Sequence, residues 1–225
     1  MTAGDGPDRP APPSRQPIFN APRATTGLCL VLLAAFLLSR FGGVAPGSLT
    51  GRLAFDAQAF TGQFEPGGAF DAWSWLALVG HGLLHVDVTH FLINTLMLLA
   101  FGSLVERTLG AGALLLVAAA AAVAGALALA VTIGGTPAYM VGASDSVHGV
   151  AGVAAVIMRR RGTAQLRHAG GVLLAFMVGI NLVLALVGGG AGLIGFAIAW
   201  QAHLGGLAAG LALAPLLFRR VERRT

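Results

Sequence analysis

The sequence has no lysine, one cysteine and few charged residues of either sign. Charged side chains make up 10% of its 225 residues, whereas a soluble domain carries about 25%. So little charge cannot cover a water-facing surface, which excludes a soluble enzyme and a disordered chain. The single cysteine, Cys29, also excludes a scaffold held together by disulfides.

Apolar residues take the place of the missing charge. The sequence is 56% hydrophobic with 33 glycines, and its mean hydropathy is +0.80. Six apolar segments approach the length of about 20 residues that a helix needs to cross a bilayer. The sequence therefore predicts an all-α polytopic membrane protein with six transmembrane helices. The segments lie at about residues 25–39, 84–105, 110–133, 144–158, 170–188 and 195–217.

The 14 arginines test this count independently. If the N-terminus lies in the cytoplasm, six spans leave only Arg40 and Arg52 on the outer side. Five or seven spans would split the arginine clusters between the two sides. The positive-inside rule therefore predicts a multi-pass protein with both termini cytoplasmic. The net charge of +5 then reflects membrane topology, and no nucleic-acid partner is expected.

The polar ends and one long loop complete the predicted organisation. Residues 1–24 are rich in proline and charge, which predicts a disordered cytoplasmic tail. Residues 25–218 are predicted to form the six-span membrane domain, and residues 219–225 a basic cytoplasmic tail. Glycine and proline interrupt residues 41–75, which predicts an extramembrane loop. The fourth span is short for a bilayer core of about 30 Å, so we expect it to begin inside the protein.

Polar side chains in the spans are candidates for function, because an ionisable group there costs roughly 2.5–3.5 kcal/mol on insertion scales. His90 and Asn94 are four residues apart, as are Ser144 and His148, so each pair shares a helical face. The full set comprises His81, His85, His90 and Asn94 in and before the second span, Ser144, Asp145, Ser146 and His148 in the fourth, Asn181 in the fifth, and Gln201 and His203 in the sixth.

These residue types fit nucleophilic catalysis. A serine hydroxyl becomes a good nucleophile when a histidine within hydrogen-bond reach takes its proton. An amide and a further imidazole can donate to the oxyanion of a tetrahedral intermediate. Histidines in a membrane are just as typical of a metal-transport path or a haem site. The residue types alone therefore leave hydrolysis, metal transport and haem binding open.

Four motifs favour hydrolysis by their order and span placement. Through them the sequence resembles the rhomboid intramembrane serine proteases over about residues 70–215. The motifs are the run His81, His85, His90 and Asn94, then Gly102, Glu106 and Gly110, then Gly142-Ala143-Ser144, and finally Ala202-His203 with Gly206 and Gly210.

The resemblance implies a rhomboid-like fold and a particular site. Ser144 and His203 would form a catalytic dyad, and His90, Asn94 and Gly142 would stabilise the oxyanion. The implied reaction is hydrolysis of peptide bonds within or near the transmembrane segments of protein substrates, without a metal or cofactor. Membrane lipid is the other expected partner, and a bacterial plasma (inner) membrane is the expected location.

Two positions depart from the family's pattern. Its Gly-x-Ser-Gly reads Gly142-Ala143-Ser144-Asp145 here, and no arginine follows Trp75 in the first loop. A carboxylate about 6 Å from the oxyanion would cost roughly 3 kcal/mol at an effective dielectric near 20, or about a hundredfold in rate. Asp145 could instead point away, be protonated or sit at the N-terminus of the fourth helix.

The departure at Asp145 sets the alternative functions. One is a catalytically inactive rhomboid-like protein that binds transmembrane helices through the same groove. Another is a histidine-lined transporter, which the lack of visible inverted repeats disfavours. The discriminating observation is whether the serine reacts with a fluorophosphonate probe.

Several candidates also have structural interpretations. Ser144 could serve only as a helix N-cap, and Ser146 is a rival hydroxyl. His148 could stack on the catalytic imidazole, where the family commonly has an aromatic residue, or could make an unrelated polar contact. Structural roles are favoured for His81 and His85, for Glu106 with Arg107 as an interfacial tether, and for the small-residue stripe of Ala202, Gly206 and Gly210.

Overall fold

The computed structural model describes residues 20–41, 49–133, 138–187 and 198–223, and these are predominantly helical. The helices are α1 (Arg23–Phe41), α2 (Leu49–Leu53), α3 (Ala57–Gly62), α4 (Ala72–Gly80), α5 (Val88–Met97), α6 (Ser103–Leu109), α7 (Ala111–Ile133), α8 (Ser144–Arg161), α9 (Ala164–Leu186) and α10 (Trp200–Glu222). A 3₁₀ turn (His81–Leu83) follows α4, and a π-helical turn (Leu98–Gly102) joins α5 and α6 into one helix. Two short antiparallel strands, β1 (Phe55–Asp56) and β2 (Tyr139–Met140), also lie within these ranges.

Five helical segments of the described residues are long and apolar enough to cross a membrane: α1, Val88–Leu109, α7, α9 and α10. Helix α8 has charged residues at both ends, which lower its hydropathy. It nevertheless runs beside α10 along its length, since Ser144 at its start contacts His203 and Arg160 near its end lies over Phe218. The expected all-α polytopic membrane fold is confirmed.

The helices differ from the predicted spans mainly at their ends. The second span begins at Val88 rather than near residue 84, because Asp87 caps the helix by accepting the His90 N–H at 2.8 Å. Helix α10 continues to Glu222, into the predicted tail 219–225, since arginine is a good helix former and favours helix C-termini. Helix α1 begins at Arg23, and residues 1–19 of the predicted disordered tail lie outside the described residues.

Glycines allow α10 to pack closely against α8. A Cβ added at Gly206 would lie 2.2 Å from the carbonyl oxygen of Asp145. A Cβ added at Gly210 would lie 2.1 Å from the carbonyl oxygen of Gly149. Both distances are far shorter than van der Waals contact, so a side chain would push the helices apart. The predicted small-residue stripe is therefore confirmed as a helix contact, and it brings the start of α10 against the start of α8.

The opposite end of the bundle is held together by Glu106. Its carboxylate accepts hydrogen bonds from the Ala24 N–H at 3.0 Å, the Thr25 N–H at 2.7 Å and the Thr25 hydroxyl at 2.8 Å. The first N–H groups of a helix have no partner within the helix. Glu106 therefore caps α1 from the end of the second span, which confirms its predicted role as a tether.

The first loop is ordered where it approaches the start of α8. Strand β1 pairs with β2 in the register Phe55↔Met140, and the Ala57 N–H donates to the carbonyl oxygen of Ala138 at 3.0 Å. The Phe55 side chain is fully buried, and its ring centroid lies 6.3 Å from that of His81. These contacts position the segment that leads into Ser144.

Candidate active site

Ser144 is the first residue of α8 and follows a sharp turn of the backbone. Gly142 has a φ of 117°, a conformation that favours glycine, and its N–H donates to the carbonyl oxygen of His81 at 2.9 Å. A Cβ on Gly142 would lie 2.4 Å from Cε1 of His90. The turn therefore requires glycine for its dihedral angle and for the space that the His90 ring occupies.

The hydroxyl of Ser144 meets the imidazole of His203. Ser144 Oγ and His203 Nε2 are 2.8 Å apart, and both residues are half-buried. The rival hydroxyl of Ser146 instead donates to the carbonyl oxygen of Ala118 on α7 at 2.9 Å. Of these two described serines, Ser144 is the one that is hydrogen-bonded to an imidazole.

Two further side chains hold the His203 ring. Asn181 of α9 has its Oδ1 2.8 Å from Nδ1 of His203. The His148 ring stacks on the His203 ring, with centroids 4.3 Å apart and an interplanar angle of 11°. The predicted stacking of His148 is therefore confirmed. His148 also makes polar contacts, with Nδ1 2.7 Å from the carbonyl oxygen of Ser144 and Nε2 3.1 Å from Nδ2 of Asn181.

His90 and Asn94 lie on α5, beside the turn that precedes Ser144. Asn94 is buried, and its Nδ2 donates to the carbonyl oxygen of His90 at 2.9 Å. An amide nitrogen carries two hydrogens, so this bond leaves one for another acceptor. The His90 ring lies against Gly142, since a Cβ on that glycine would lie 2.4 Å from Cε1 of the ring. The role of these three residues at an oxyanion stays a prediction.

Asp145 is buried and hydrogen-bonded to His81. Its Oδ2 lies 2.8 Å from His81 Nε2, and its Oδ1 accepts the N–H of Ser146 at 2.6 Å. A Cβ on Gly125 of α7 would lie 2.6 Å from the same Oδ2, so the carboxylate occupies a slot that glycine leaves open. Both carboxylate oxygens are thus engaged within the first turn of α8 and with His81.

The His81 imidazole is bonded on both sides. Its Nδ1 lies 2.7 Å from the carbonyl oxygen of Ala77, which can only accept, so Nδ1 carries a proton. Burial lowers the pKa of His81, but hydrogen bonding to Asp145, the negative charge of that carboxylate and the bond to Ala77 outweigh it, so that the pKa is raised from its ordinary value.

His85 precedes α5 in the chain and packs against two rings of that helix. Its ring centroid lies 5.0 Å from that of His90 and 5.7 Å from that of Phe91. Burial, together with the neighbouring His90, lowers the pKa of His85 to about 4. The ring is therefore neutral at physiological pH, and its structural role stays a prediction.

Comparison with known proteins identifies the family. The family model of the rhomboid domain matches residues 72–220, more than half of the chain. The chain belongs to the rhomboid family. Among curated proteins, it is 30% identical over 190 residues to the rhomboid protease GlpG of Pectobacterium atrosepticum. That alignment covers 84% of this chain and 61% of the relative, so the chain spans less than two thirds of the relative's length.

Membership of the rhomboid family confirms the resemblance found in the sequence. Together with the apolar helices, it supports an intramembrane protease-type fold. The matched region includes α4 to α9 and nearly all of α10, so it contains every site residue from His81 to His203. At the second departure from the rhomboid pattern, the first-loop guanidinium of Arg52 lies 5.2 Å from the ring centroid of Trp73. The guanidinium of Arg52 therefore lies over one of the two tryptophans near the end of the first loop.

Sequence reasoning missed two contacts of this rhomboid's site. The sequence marks Asn181 as a polar residue of the fifth span, but it does not indicate that Asn181 contacts His203 or that His81 contacts Asp145. The available signal for Asn181 was energetic, because a lone amide in an apolar span costs free energy unless it has partners. Its partner helix could not be identified from that signal.

Proposed function

We propose that this rhomboid is an intramembrane serine endopeptidase that hydrolyses peptide bonds within or near the transmembrane segments of other membrane proteins. The observation that carries the proposal is the 2.8 Å contact between Ser144 Oγ and His203 Nε2. A hydroxyl within hydrogen-bond reach of an imidazole that is itself held in place by a third group is the arrangement of an activated nucleophile.

In the first half of the reaction, Ser144 Oγ attacks the carbonyl carbon of the scissile peptide bond. Its proton passes to Nε2 of His203, and the carbonyl oxygen becomes the oxyanion of a tetrahedral intermediate. Collapse of this intermediate breaks the C–N bond, and the leaving amine takes the proton from Nε2. The products are a free amine and an ester on Ser144.

In the second half, water replaces the amine. His203 Nε2 takes a proton from the water as its oxygen attacks the ester carbon, and a second tetrahedral intermediate forms. When that intermediate collapses, Ser144 Oγ recovers its proton from Nε2 and the product carboxyl is released. His203 returns each proton that it accepts, so the reaction consumes only the peptide bond and one water molecule.

The oxyanion would be held by groups around the start of α8. The Ser144 N–H belongs to the first turn, where helical N–H groups have no partner within the helix. The remaining Nδ2 hydrogen of Asn94 and the ring of His90 beside Gly142 are the proposed side-chain donors. Removing one such donor typically costs about 10²- to 10³-fold in kcat.

The bonding of Asp145 favours an active enzyme over a protein that only binds transmembrane helices. The sequence pattern motivated that alternative because a carboxylate follows the nucleophile. The His81 side chain pairs with that carboxylate at 2.8 Å, so its charge is offset where it lies. Binding of transmembrane helices without cleavage is the second candidate function. The activity assay below decides between the protease and the binding protein.

The protein would lie in a bacterial plasma (inner) membrane, and the arginine distribution supports cytoplasmic termini. Arg160 and Arg161 lie 4.8 and 5.3 Å from the ring centroid of Phe218, at the end of the bundle away from Ser144. Positive charge gathers on the cytoplasmic side, so the site would face the outer half of the membrane. Membrane lipid and transmembrane substrates would be the partners.

The proposal is tested by cleavage of a model transmembrane substrate in detergent and in liposomes. Ser144→Ala and His203→Ala should each abolish cleavage to about the same extent, because members of one catalytic unit are strongly non-additive. Full activity in folded Ser144→Ala would disprove the assignment. An inactive, folded parent that still captures the substrate would support the binding alternative.

A further inference from the structure

Asn181 is a buried amide whose every hydrogen-bonding group is engaged. The side chain is 0% exposed in a helix that is otherwise largely apolar. Its Nδ2 donates to the carbonyl oxygen of Met177 at 2.8 Å and faces Nε2 of His148 at 3.1 Å. Its Oδ1 faces Nδ1 of His203 at 2.8 Å. Burying an amide costs free energy unless it is hydrogen-bonded. Because all of its hydrogen bonds are made, Asn181 holds the side chains that it contacts in place.

The contact with Met177 defines which way the amide faces. A backbone carbonyl can only accept a hydrogen bond, so the atom 2.8 Å from it must be the NH₂ group. The remaining hydrogen of that group then points at His148, and the acceptor Oδ1 points at His203. No other assignment of the amide satisfies the carbonyl of Met177.

The amide in turn determines the tautomers of both imidazoles. Because Oδ1 can only accept, Nδ1 of His203 must carry the proton, and the lone pair of its Nε2 faces Ser144 Oγ at 2.8 Å. Because Nδ2 can only donate, Nε2 of His148 is the acceptor. Nδ1 of His148 then donates to the carbonyl oxygen of Ser144 at 2.7 Å.

These bonds form a closed ring that ties three helices together. It runs from Ser144 Oγ to His203, to Asn181, to His148 and back to the carbonyl oxygen of Ser144. The stacked rings, 4.3 Å apart, allow one amide to reach both imidazoles. A ring of this kind leaves His203 little freedom to rotate, since rotation would break its bond to Asn181.

We infer that Asn181 is a positioning residue for the base: it holds His203 in the tautomer and orientation in which Nε2 can take the proton of Ser144. This inference rests on the proposed protease function. Serine and cysteine hydrolases use a third residue for the same purpose, and an asparagine amide can fill that place. When Nε2 takes the proton, the Nδ1–H to Oδ1 bond becomes charge-assisted and strengthens, which stabilises the imidazolium.

Kinetics of Asn181 variants separate positioning from packing. Asn181→Leu keeps the size of the side chain and removes the acceptor, and we expect kcat to fall by about 10²-fold with KM changed less than about twofold. The labelling rate of Ser144 by a fluorophosphonate probe should fall in parallel. Asn181→Asp keeps an acceptor facing Nδ1 and should restore most of the lost kcat. Leu182→Ala, at an exposed neighbour on α9, is the matched control and should behave as the parent.

Several outcomes would overturn the inference. One is a parent-like kcat in Asn181→Leu. Another is an equal loss in the Leu and Asp variants that parallels a fall in melting temperature, because that pattern means only a structural role. A rise in KM alone would place Asn181 in substrate binding instead.

The ¹⁵N spectrum of the imidazoles gives a readout that does not need activity. His203, assigned by the signal missing in His203→Gln, should show a protonated Nδ1 and a bare Nε2 in the parent, and a mixture of tautomers in Asn181→Leu. A parent spectrum with Nε2 protonated overturns the inference. An inactive parent with the expected spectrum would instead refute the protease proposal and uphold the tautomer assignment, so the two failures are distinguishable.

Discussion

His81 and Asp145 form a hydrogen-bonded pair 2.8 Å apart, and their side chains are 0% and 1% exposed. Asp145 directly follows Ser144, so the pair anchors the first turn of α8 to the 3₁₀ turn after α4. Asp145, which departs from the rhomboid pattern, is thus hydrogen-bonded to His81, which is part of that pattern.

The first prediction concerns the stability that this pair provides. Removing one member leaves the other buried without its partner, so Asp145→Gly and His81→Phe should each lower the free energy of unfolding by about 3–5 kcal/mol. The double variant should lose much less than the sum of the two. Unfolding by SDS titration in mixed micelles measures all three variants.

The same variants test whether Asp145 acts on the oxyanion. Because His81 engages the carboxylate, Asp145→Gly should cleave a model substrate no faster than the parent. An increase approaching about a hundredfold would mean that the charge opposes the oxyanion. Additive losses of stability in the double variant would mean that His81 and Asp145 are not coupled.

A second prediction concerns pH. The pKa of His81 is raised in the folded protein. Its stabilising contribution is therefore fully present below the ordinary histidine pKa of about 6.5 and is lost as pH rises through the folded value. The melting temperature of the parent minus that of the His81→Phe, Asp145→Gly double variant should be larger at about pH 6 than at about pH 9. Other titrating groups are common to both proteins, so a difference that grows toward high pH would contradict the pairing.

A third prediction uses the glycines of α10. Alanine at Gly206 would put a Cβ 2.2 Å from the backbone oxygen of Asp145, so Gly206→Ala should destabilise the protein by about 1–3 kcal/mol and lower kcat by separating His203 from Ser144. The matched control is Gly179→Ala on α9, where a Cβ meets nothing within 4 Å. It should be neutral or stabilise by up to about 1 kcal/mol. Equal behaviour of the two variants would disprove the close approach.

The spans could be predicted from the sequence because the bilayer imposes one length and one polarity on every crossing helix. The errors fell at the ends, where local chemistry decides, as when the Asp87 carboxylate starts α5 at Val88. The first loop was harder. Its helices α2 and α3 have only 5 and 6 residues, too few for a periodic pattern to show.

The site could be predicted only in part for a related reason. The proximity of Ser144 and His203 could be predicted from the family resemblance, because the motifs occur in the same order and in the same spans as in the family. Asn181 and His81 find their partners 22 and 64 residues away along the chain. Contacts between helices leave no periodic signal in one sequence, so the ring of bonds through Asn181 required coordinates.

A fourth prediction concerns membrane topology, and it follows from the arginine distribution. Reporter fusions after residues 60 and 190 should report the outer side, and fusions after residues 108, 165 and 225 the cytoplasm. An outer-side signal at residue 165 would contradict six crossings. It would also separate the start of α8 from the start of α10, which the 2.8 Å contact between Ser144 and His203 does not allow.

The central claim is that Ser144 is a nucleophile activated by His203, and covalent labelling tests it most directly. A fluorophosphonate probe reacts with an activated serine without any knowledge of the natural substrate, and peptide mapping by mass spectrometry locates the adduct. We expect the adduct on Ser144 in the folded parent and in Ser146→Ala, and its loss in His203→Ala. A folded parent that is not labelled, or one that is labelled on Ser146, would contradict the claim.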